Sequence, residues 1–280
     1  MTSRLGILHP GEMGTALAAS AMNSGLNVYW CQEGRSDASR ARANNLGLKT
    51  VDTLAELCHS CEILVSVCPP HAAAAQADAV IACGFQGLYA DVNAVSPATV
   101  RQIGMRMAEA GIHFVDGGII GLPPTQPGTT WLYLSGTEAA LVAACFAGGP
   151  LETSILGDDI GQASGLKMCF AANSKGTAAL HTAILGAAQA LGVRDALERQ
   201  WDVYNPGFTA KSHARIRQVA RKSWRFVGEM EEIAATLDDC GMPPDFHLGA
   251  AKIYARQEQF KDVGEDPPIE DILAAVQAKG

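Results

Sequence analysis

Through the first half of the chain, short apolar runs alternate with longer stretches in which apolar residues return every three or four positions. The runs at 4–8 (RLGIL), 26–31 (LNVYWC), 61–67 (CEILVSV), 87–93 (GLYADVN) and 112–118 (IHFVDGG) predict β-strands. Helices are predicted to begin near Glu12, Asp37, Thr53, Pro70 and Pro97. A strand at 129–136 (TTWLYLSG), a helix at 137–148 and a strand at 152–157 (ETSILG) follow. After about residue 160 the strand signals stop. One long apolar helix is predicted over 164–192, ended by Gly192, and an amphipathic one over 213–241, closed by Gly241 and Pro243. Helical patterns at 245–261 and 269–280 complete the chain. The expected fold is therefore an α/β Rossmann domain, a doubly wound parallel sheet over residues 1–160, followed by an all-helical domain over 161–280. A ligand crevice is expected where the two meet.

Composition narrows the functional classes. Hydrophobic residues make up 48% of the 280 and charged residues 18%, which excludes a disordered chain. A net charge of -8 argues against nucleic acid or an anionic membrane as the main partner. The first residues lack the apolar core of a signal peptide, and the stretch at 176–192 is too short for a span and is interrupted by His181, so a cytoplasmic location is expected. Eight cysteines follow no disulfide framework. Cys58 and Cys61 form a lone C-x-x-C around His59, which cannot close a tetrahedral zinc site. They read as core residues, and no metal is expected.

The junction of the first strand and helix carries the first candidate chemistry. His9, Pro10, Gly11, Glu12, Met13 and Gly14 stand where a dinucleotide fingerprint, G-x-G-x-x-G, belongs, with His9 in place of the first glycine. The first glycine serves a tight turn, which Pro10 can supply through its fixed φ. Gly11 and Gly14 keep the places where a side chain would collide with a pyrophosphate or with the strand. The alternative is a strand–turn–helix that binds nothing. After the second strand, Gly34, Arg35 and Ser36 offer a guanidinium and a hydroxyl suited to a 2′-phosphate, with Arg40 and Arg42 beyond; Glu33 points the other way, toward NAD. The reading is NADP (NADPH) over NAD, against a plain solvated turn.

Five segments in this order, GILHPGEMGTALA, EGRSDASRARA, DVNAVSPATV, FVDGGIIGLPP and ASGLKMCFAANSKG, make the chain similar to the β-hydroxyacid dehydrogenase superfamily. That group includes 3-hydroxyisobutyrate and 6-phosphogluconate dehydrogenases, with imine reductases as cousins. The stretch GEMEEIAATLDDCGMPPDFHLGAA resembles the branch with its own C-terminal helical domain. The resemblance implies an NAD(P)-dependent oxidoreductase acting on a small molecule, a homodimer through the C-terminal helices, and Lys167 as general acid/base.

Hydride transfer to a carbonyl needs a proton donor at the oxygen. Lys167, in an apolar helical stretch, suits that role; Lys175, further along and read as more exposed, ranks second. Cys68 and Pro69 in SVCPP are expected against the cofactor, and Asn93 is expected to hydrogen-bond the nicotinamide amide or the substrate oxygen, unless it only caps a helix as Ser96 does. Residues 115–124 read as a glycine-rich loop able to hold a substrate anion, with Ile119, Ile120 and Gly121 lining the substrate; the alternative role for Asp116 there is to tie down the turn. Two departures from the resemblance weaken a small hydroxy acid as substrate: Ile120, Gly121 and Leu122 replace a serine and two glycines, and Ala171 replaces an asparagine. His213, Arg217 and Arg221 form either an anion clamp or a solvated face; His181 and His247 read as packed histidines. An imine reductase-like activity and a non-catalytic NADP-binding regulator are the competing functions.

Overall fold

A computed structural model of the protein describes residues 4–261 and 263–277. The last three residues of the helical pattern at 269–280 lie outside the described residues. The chain divides into two compact units, Met1–Met168 and Cys169–Gly280.

The first unit runs β1 (Arg4–Ile7), α1 (Glu12–Asn23), β2 (Asn27–Cys31), α2 (Asp37–Leu46), β3 (Lys49–Val51), α3 (Leu54–Ser60), β4 (Ile63–Ser66), α4 (Ala73–Ala82), β5 (Leu88–Asp91), α5 (Pro97–Glu109), β6 (His113–Ile120), β7 (Trp131–Ser135), α6 (Ala139–Ala144), β8 (Glu152–Gly157) and α7 (Gln162–Ala171). Its strands form one sheet in the order β3-β2-β1-β4-β5-β6-β7-β8. The first six are parallel; β7 runs antiparallel to β6, and β8 is parallel to β7. This is the doubly wound fold that the strand–helix alternation implies. The strand order reverses between β1 and β4, the switch point at whose carboxyl ends doubly wound folds bind their ligands.

The helix starts lie where the sequence puts them because the caps are local. Ser36, Thr53 and Ser96 each accept a hydrogen bond from the backbone N–H three residues on, and Pro97 stands at the first helical position of α5. Strand β3 escapes the sequence pattern: it has only three residues, and Lys49 and Thr50 are exposed at the sheet edge. Cys58 and Cys61 are buried in the apolar layer with Leu57, Leu64 and Tyr89. Burial pushes both thiols up to about 12, the behaviour of inert core cysteines.

In the second unit the end of α7 passes through a π-helical turn, Ala172–Gly176, into α8 (Thr177–Ala190). Then come α9 (Arg194–Tyr204), α10 (Phe208–Ala220), α11 (Ser223–Asp239), α12 (Asp245–Ala255) and α13 (Ile269–Gln277). Two sequence expectations need correcting here. The run 164–192 is not one regular helix, and the run 213–241 breaks into α10 and α11. At that break Arg221 Nε donates to the Val263 carbonyl (2.9 Å) and Ser223 Oγ to the Gln257 carbonyl (3.2 Å), partners distant in sequence. The core of this unit gathers Leu185, Ile216, Ala220, Phe260, Ile269, Ile272 and Leu273. No helix among the described residues is long and apolar enough to cross a membrane.

Candidate functional site

The turn after β1 answers the missing glycine. Gly11 N–H donates to the His9 carbonyl at 2.9 Å, closing a three-residue turn centred on Pro10. Gly14 is required by the fold itself, because a Cβ there would run into the His9 carbonyl oxygen and lie 3.1 Å from Val67 Cγ1. Gly11 is different. Its φ of −74° and ψ of −170° suit any residue, and a Cβ would meet no atom within 4 Å. Nothing among the described residues requires glycine at 11, and the space beside it is open. The N-cap of α1 is Gly11, which has no side chain to cap it, and the helix begins at Glu12 and Met13. These features fit a pyrophosphate at that helix end.

Arg35 joins three of the predicted segments. Gly34, at φ +66°, turns the chain after β2. The Arg35 guanidinium then lies near enough to His9, Cys31 and Cys68 for its charge to act on each. Its Nε has no hydrogen-bond partner. Burial, with Arg35 adding to it, lowers the His9 imidazole to about 4, so His9 is neutral. Arg42 Nε donates to the Pro10 carbonyl (3.3 Å) and Arg40 Nε to that of Arg35 (3.1 Å), tying the two turns together. Ser36 is exposed while its Oγ caps α2. Beside these turns is a cavity of about 300 Å³ lined by Leu8, Cys31, Glu33, Arg35, Leu54, Ala72, Ala75, Gln76 and Ala79. Glu33 and Arg35 both face it.

A row of buried polar residues crosses the sheet at the carboxyl ends of its parallel strands. Ser66 on β4 is in register with Asp91 on β5, Asp91 with Asp116 on β6, and Asp116 with Ser135 on β7. In-register neighbours share a sheet face, and all four residues are buried. Asp91 Oδ1 accepts from Asn93 N–H (3.0 Å); the Asn93 side chain accepts from Cys68 N–H (2.5 Å) and donates to Ser66 Oγ (3.1 Å). Asn93 therefore clasps the loop carrying Cys68 and Pro69, and it does not cap α5, a task Ser96 performs. Burial, reinforced by the neighbouring Asp116 carboxylate, raises Asp91 to about 7, and its Oδ2 has no partner. Burial raises Asp116 as well.

The segment 115–124 is the main departure from the sequence reading. Asp116, Gly117, Gly118, Ile119 and Ile120 belong to β6 and pair in register with β7, so this is a strand and not an open anion-binding loop. Ile119 packs in the apolar core, Ile120 is half-buried, and Gly121 (φ +133°) makes the turn out of the strand. The glycines serve close packing. A Cβ on Gly117 would come within 2.6 Å of Val92 Cγ1, and one on Gly118 within 2.6 Å of the Ala163 carbonyl oxygen and 2.9 Å of Lys167 Cβ. Lys167 is half-buried on α7 against this strand. Nothing in the sequence marks Ser135 or Ser164, yet Asp116 binds Ser164 Oγ (2.6 Å) and Ser135 Oγ (3.0 Å).

Residues in the helical unit also depart from expectation. Lys175, read as the more exposed lysine, is largely buried, paired with Glu229 and stacked 4.7 Å from the Phe226 ring centre. It lies in the π-helical turn, where Tyr254 OH donates to its carbonyl (2.7 Å). Ala171 is buried. His213 binds Glu198 (2.9 Å), and Arg217 and Arg221 donate to backbone carbonyls of 263–267, so the two arginines hold that distant segment while Arg217 itself stays exposed. His181 contacts Ser212 Oγ (3.1 Å) among Trp201 and Phe208, and His247 is buried.

A doubly wound sheet with a glycine turn at its switch point defines an α/β dinucleotide-binding protein. Residues 4–144 match the NAD binding domain of 6-phosphogluconate dehydrogenase, and the chain belongs to that family. Residues 188–257 match a domain of unknown function, DUF1932. An uncharacterized 28.5 kDa protein of Methanothermus fervidus is 30% identical over 197 residues, 69% of this chain and 74% of that one. The solved 3-hydroxyisobutyrate dehydrogenase of Mycobacterium tuberculosis shares the fold at 16% identity and a TM-score of 0.71, covering 99% of this chain and 100% of that one. The reductive aminase of Aspergillus terreus, solved with NADPH, shares it at 19% identity and a TM-score of 0.57, covering 98% and 99%. By family, then, the amino-terminal half is an NAD binding domain of the 6-phosphogluconate dehydrogenase type, and the two solved enzymes share its fold.

Proposed function

We propose that the protein is an NADP-dependent reductase, or the reverse dehydrogenase, of a small hydroxy or carbonyl compound, with Lys167 as general acid/base. The observation that carries this reading is the seat of Lys167: its Cβ lies against Gly118, where no larger residue fits. A nicotinamide, when bound, supplies or accepts the hydride. The chain's residues do the rest. Gly11 and the amino end of α1 hold phosphate, Asn93 fixes the Cys68–Pro69 loop, and the Lys167 ammonium gives a proton to the carbonyl oxygen as charge develops there. In the reverse direction the amine takes that proton back. Arg35, with a free Nε beside the cavity, favours the 2′-phosphate of NADP, and Ser36 stands next to it. Glu33 on the same cavity is the feature that favours NAD.

Ile120, half-buried where the resemblance implies a polar group, favours a less polar substrate. Imine reduction is the second reading on that ground. The deciding experiment follows NADPH oxidation over a panel of small aldehydes, ketones, 2- and 3-oxo acids and cyclic imines, with Lys167→Ala in parallel. Turnover of carbonyls lost in the variant, with NADPH affinity kept, supports the first reading. Full activity in the variant overturns it, and turnover of imines alone favours the second. NADPH binding without turnover of any compound indicates a non-catalytic NADP-binding regulator.

A further inference from the structure

Four of the hydrogen bonds made by Asp116 run to a single neighbourhood. Its Oδ2 accepts from Gly161 N–H (2.9 Å), Ser164 N–H (3.1 Å) and Ser135 Oγ (3.0 Å), and its Oδ1 from Ser164 Oγ (2.6 Å). Ser135 Oγ in turn accepts from Ala163 N–H (3.2 Å), and Gln162 N–H donates to the Asp159 carbonyl (3.3 Å). The amides of Gly161, Ala163 and Ser164, around the start of α7, are thus met by side chains of the sheet, Asp116 and Ser135. An unsatisfied helix start would ordinarily be met by a local Ser, Thr, Asp or Asn.

The same strand touches the helix again one step further. Asp116 and Gly118 alternate to the same face of β6, while Ala163 and Lys167 are one turn apart on one face of α7. Gly118 lies under both of them. Asp116 therefore sets how α7 is rotated and how far along the strand it sits, and Gly118 sets how closely it lies. Lys167 follows rigidly, a single turn beyond the anchored amides.

We infer that Asp116 is a positioning residue for Lys167, delivering its ammonium by anchoring the first turn of α7 to the sheet. This deepens the proposed function and rests on it for the meaning of Lys167, but the anchoring itself can be read without any substrate. The protein without ligand is trace-labelled with acetic anhydride across pH 7 to 10, and each lysine is followed by peptide mass spectrometry. Hydrogen exchange of the 161–165 amides is measured alongside. Two variants are compared with the parent: Asp116→Asn, and the milder Ser164→Ala, which decides the question if the first does not fold. The expected result is a shift of roughly threefold or more in the pH-dependent labelling of Lys167, with Lys211 and Lys252 unchanged. Amide protection at 163–165 should fall roughly tenfold, the scale of a lost hydrogen bond to a charged group. Protection lost while Lys167 labelling stays as in the parent would show that Asp116 only stabilises the helix, and would overturn the inference. So would both readouts unchanged. A retained activity of Lys167→Ala sinks the functional reading alone and leaves this labelling result standing, so the two failures are distinguishable.

Discussion

Gly118 and Lys167 meet at the closest approach of β6 and α7: a Cβ on Gly118 would stand 2.9 Å from Lys167 Cβ and 2.6 Å from the Ala163 carbonyl oxygen. Backbone cannot yield as a flexible side-chain tip would, so Gly118→Ala must push α7 off the strand. The expected outcome is a loss of ~1–3 kcal/mol in stability, typical of overpacking. Turnover should fall by roughly tenfold or more with NADPH affinity retained, because displacement by a fraction of an ångström degrades a reacting geometry. Thermal melting, coenzyme titration and steady-state rates check this together.

The two glycines of the first turn should separate fold from binding. Gly11→Ala meets no protein atom and has ordinary backbone angles, so its melting temperature should stay within the effect of about 0.5 kcal/mol expected of a surface change. Its NADPH dissociation constant should rise roughly tenfold or more, a cost of about 1.4 kcal/mol. Gly14→Ala collides with the His9 carbonyl and should lose stability and binding together. Equal stability losses in the two variants would refute the distinction.

Coenzyme choice should turn on Arg35. Arg35→Ala is expected to weaken NADPH by roughly tenfold or more, the value of a lost charge-assisted contact, while NADH changes little. Fluorescence titration with both coenzymes reads the ratio directly. An equal effect on the two would place Arg35 away from the 2′ position and return the decision to Glu33.

Asp91 gives a pH prediction. Its folded pKa, about 7, lies above the ordinary value of 3.8, chiefly through burial. The folded state thus binds the proton more tightly than the unfolded chain, and this contribution is fully present below the ordinary value and lost as pH rises through about 7. Asp91→Asn keeps an acceptor for the Asn93 N–H and removes the charge. Relative to the parent it should gain stability at pH 8 compared with pH 4, by an amount on the order of a few kcal/mol. Chemical denaturation at the two pH values tests it; parallel curves for parent and variant would rule it out.

The Lys175–Glu229 pair is a structural matter of the helical unit. Removing one partner leaves the other charge buried, at ~3–5 kcal/mol. Lys175→Met should therefore cost more than the double variant with Glu229→Gln, and urea unfolding of the parent, the two single variants and the double variant measures the coupling.

Much of this molecule is legible along the chain because its determinants are local. Period-two and period-three-to-four apolar patterns, caps such as Ser36, Thr53 and Ser96, and the His9–Pro10–Gly11 turn all act within a few residues, and they specify the doubly wound half and its glycine turn. Periodicity cannot resolve β3, which is three residues long with two of them polar, nor the break between α10 and α11, which is held by partners at Gln257 and Val263. Nor can it tell a loop from a strand in VDGGII, where pairing with β7 decides. The row from Ser66 to Ser135, the anchoring of α7 by Asp116 and the seat of Lys167 on Gly118 exist only once register brings distant strands side by side. Burial then makes those polar contacts obligatory, since a carboxylate removed from water must find its donors wherever the fold places them.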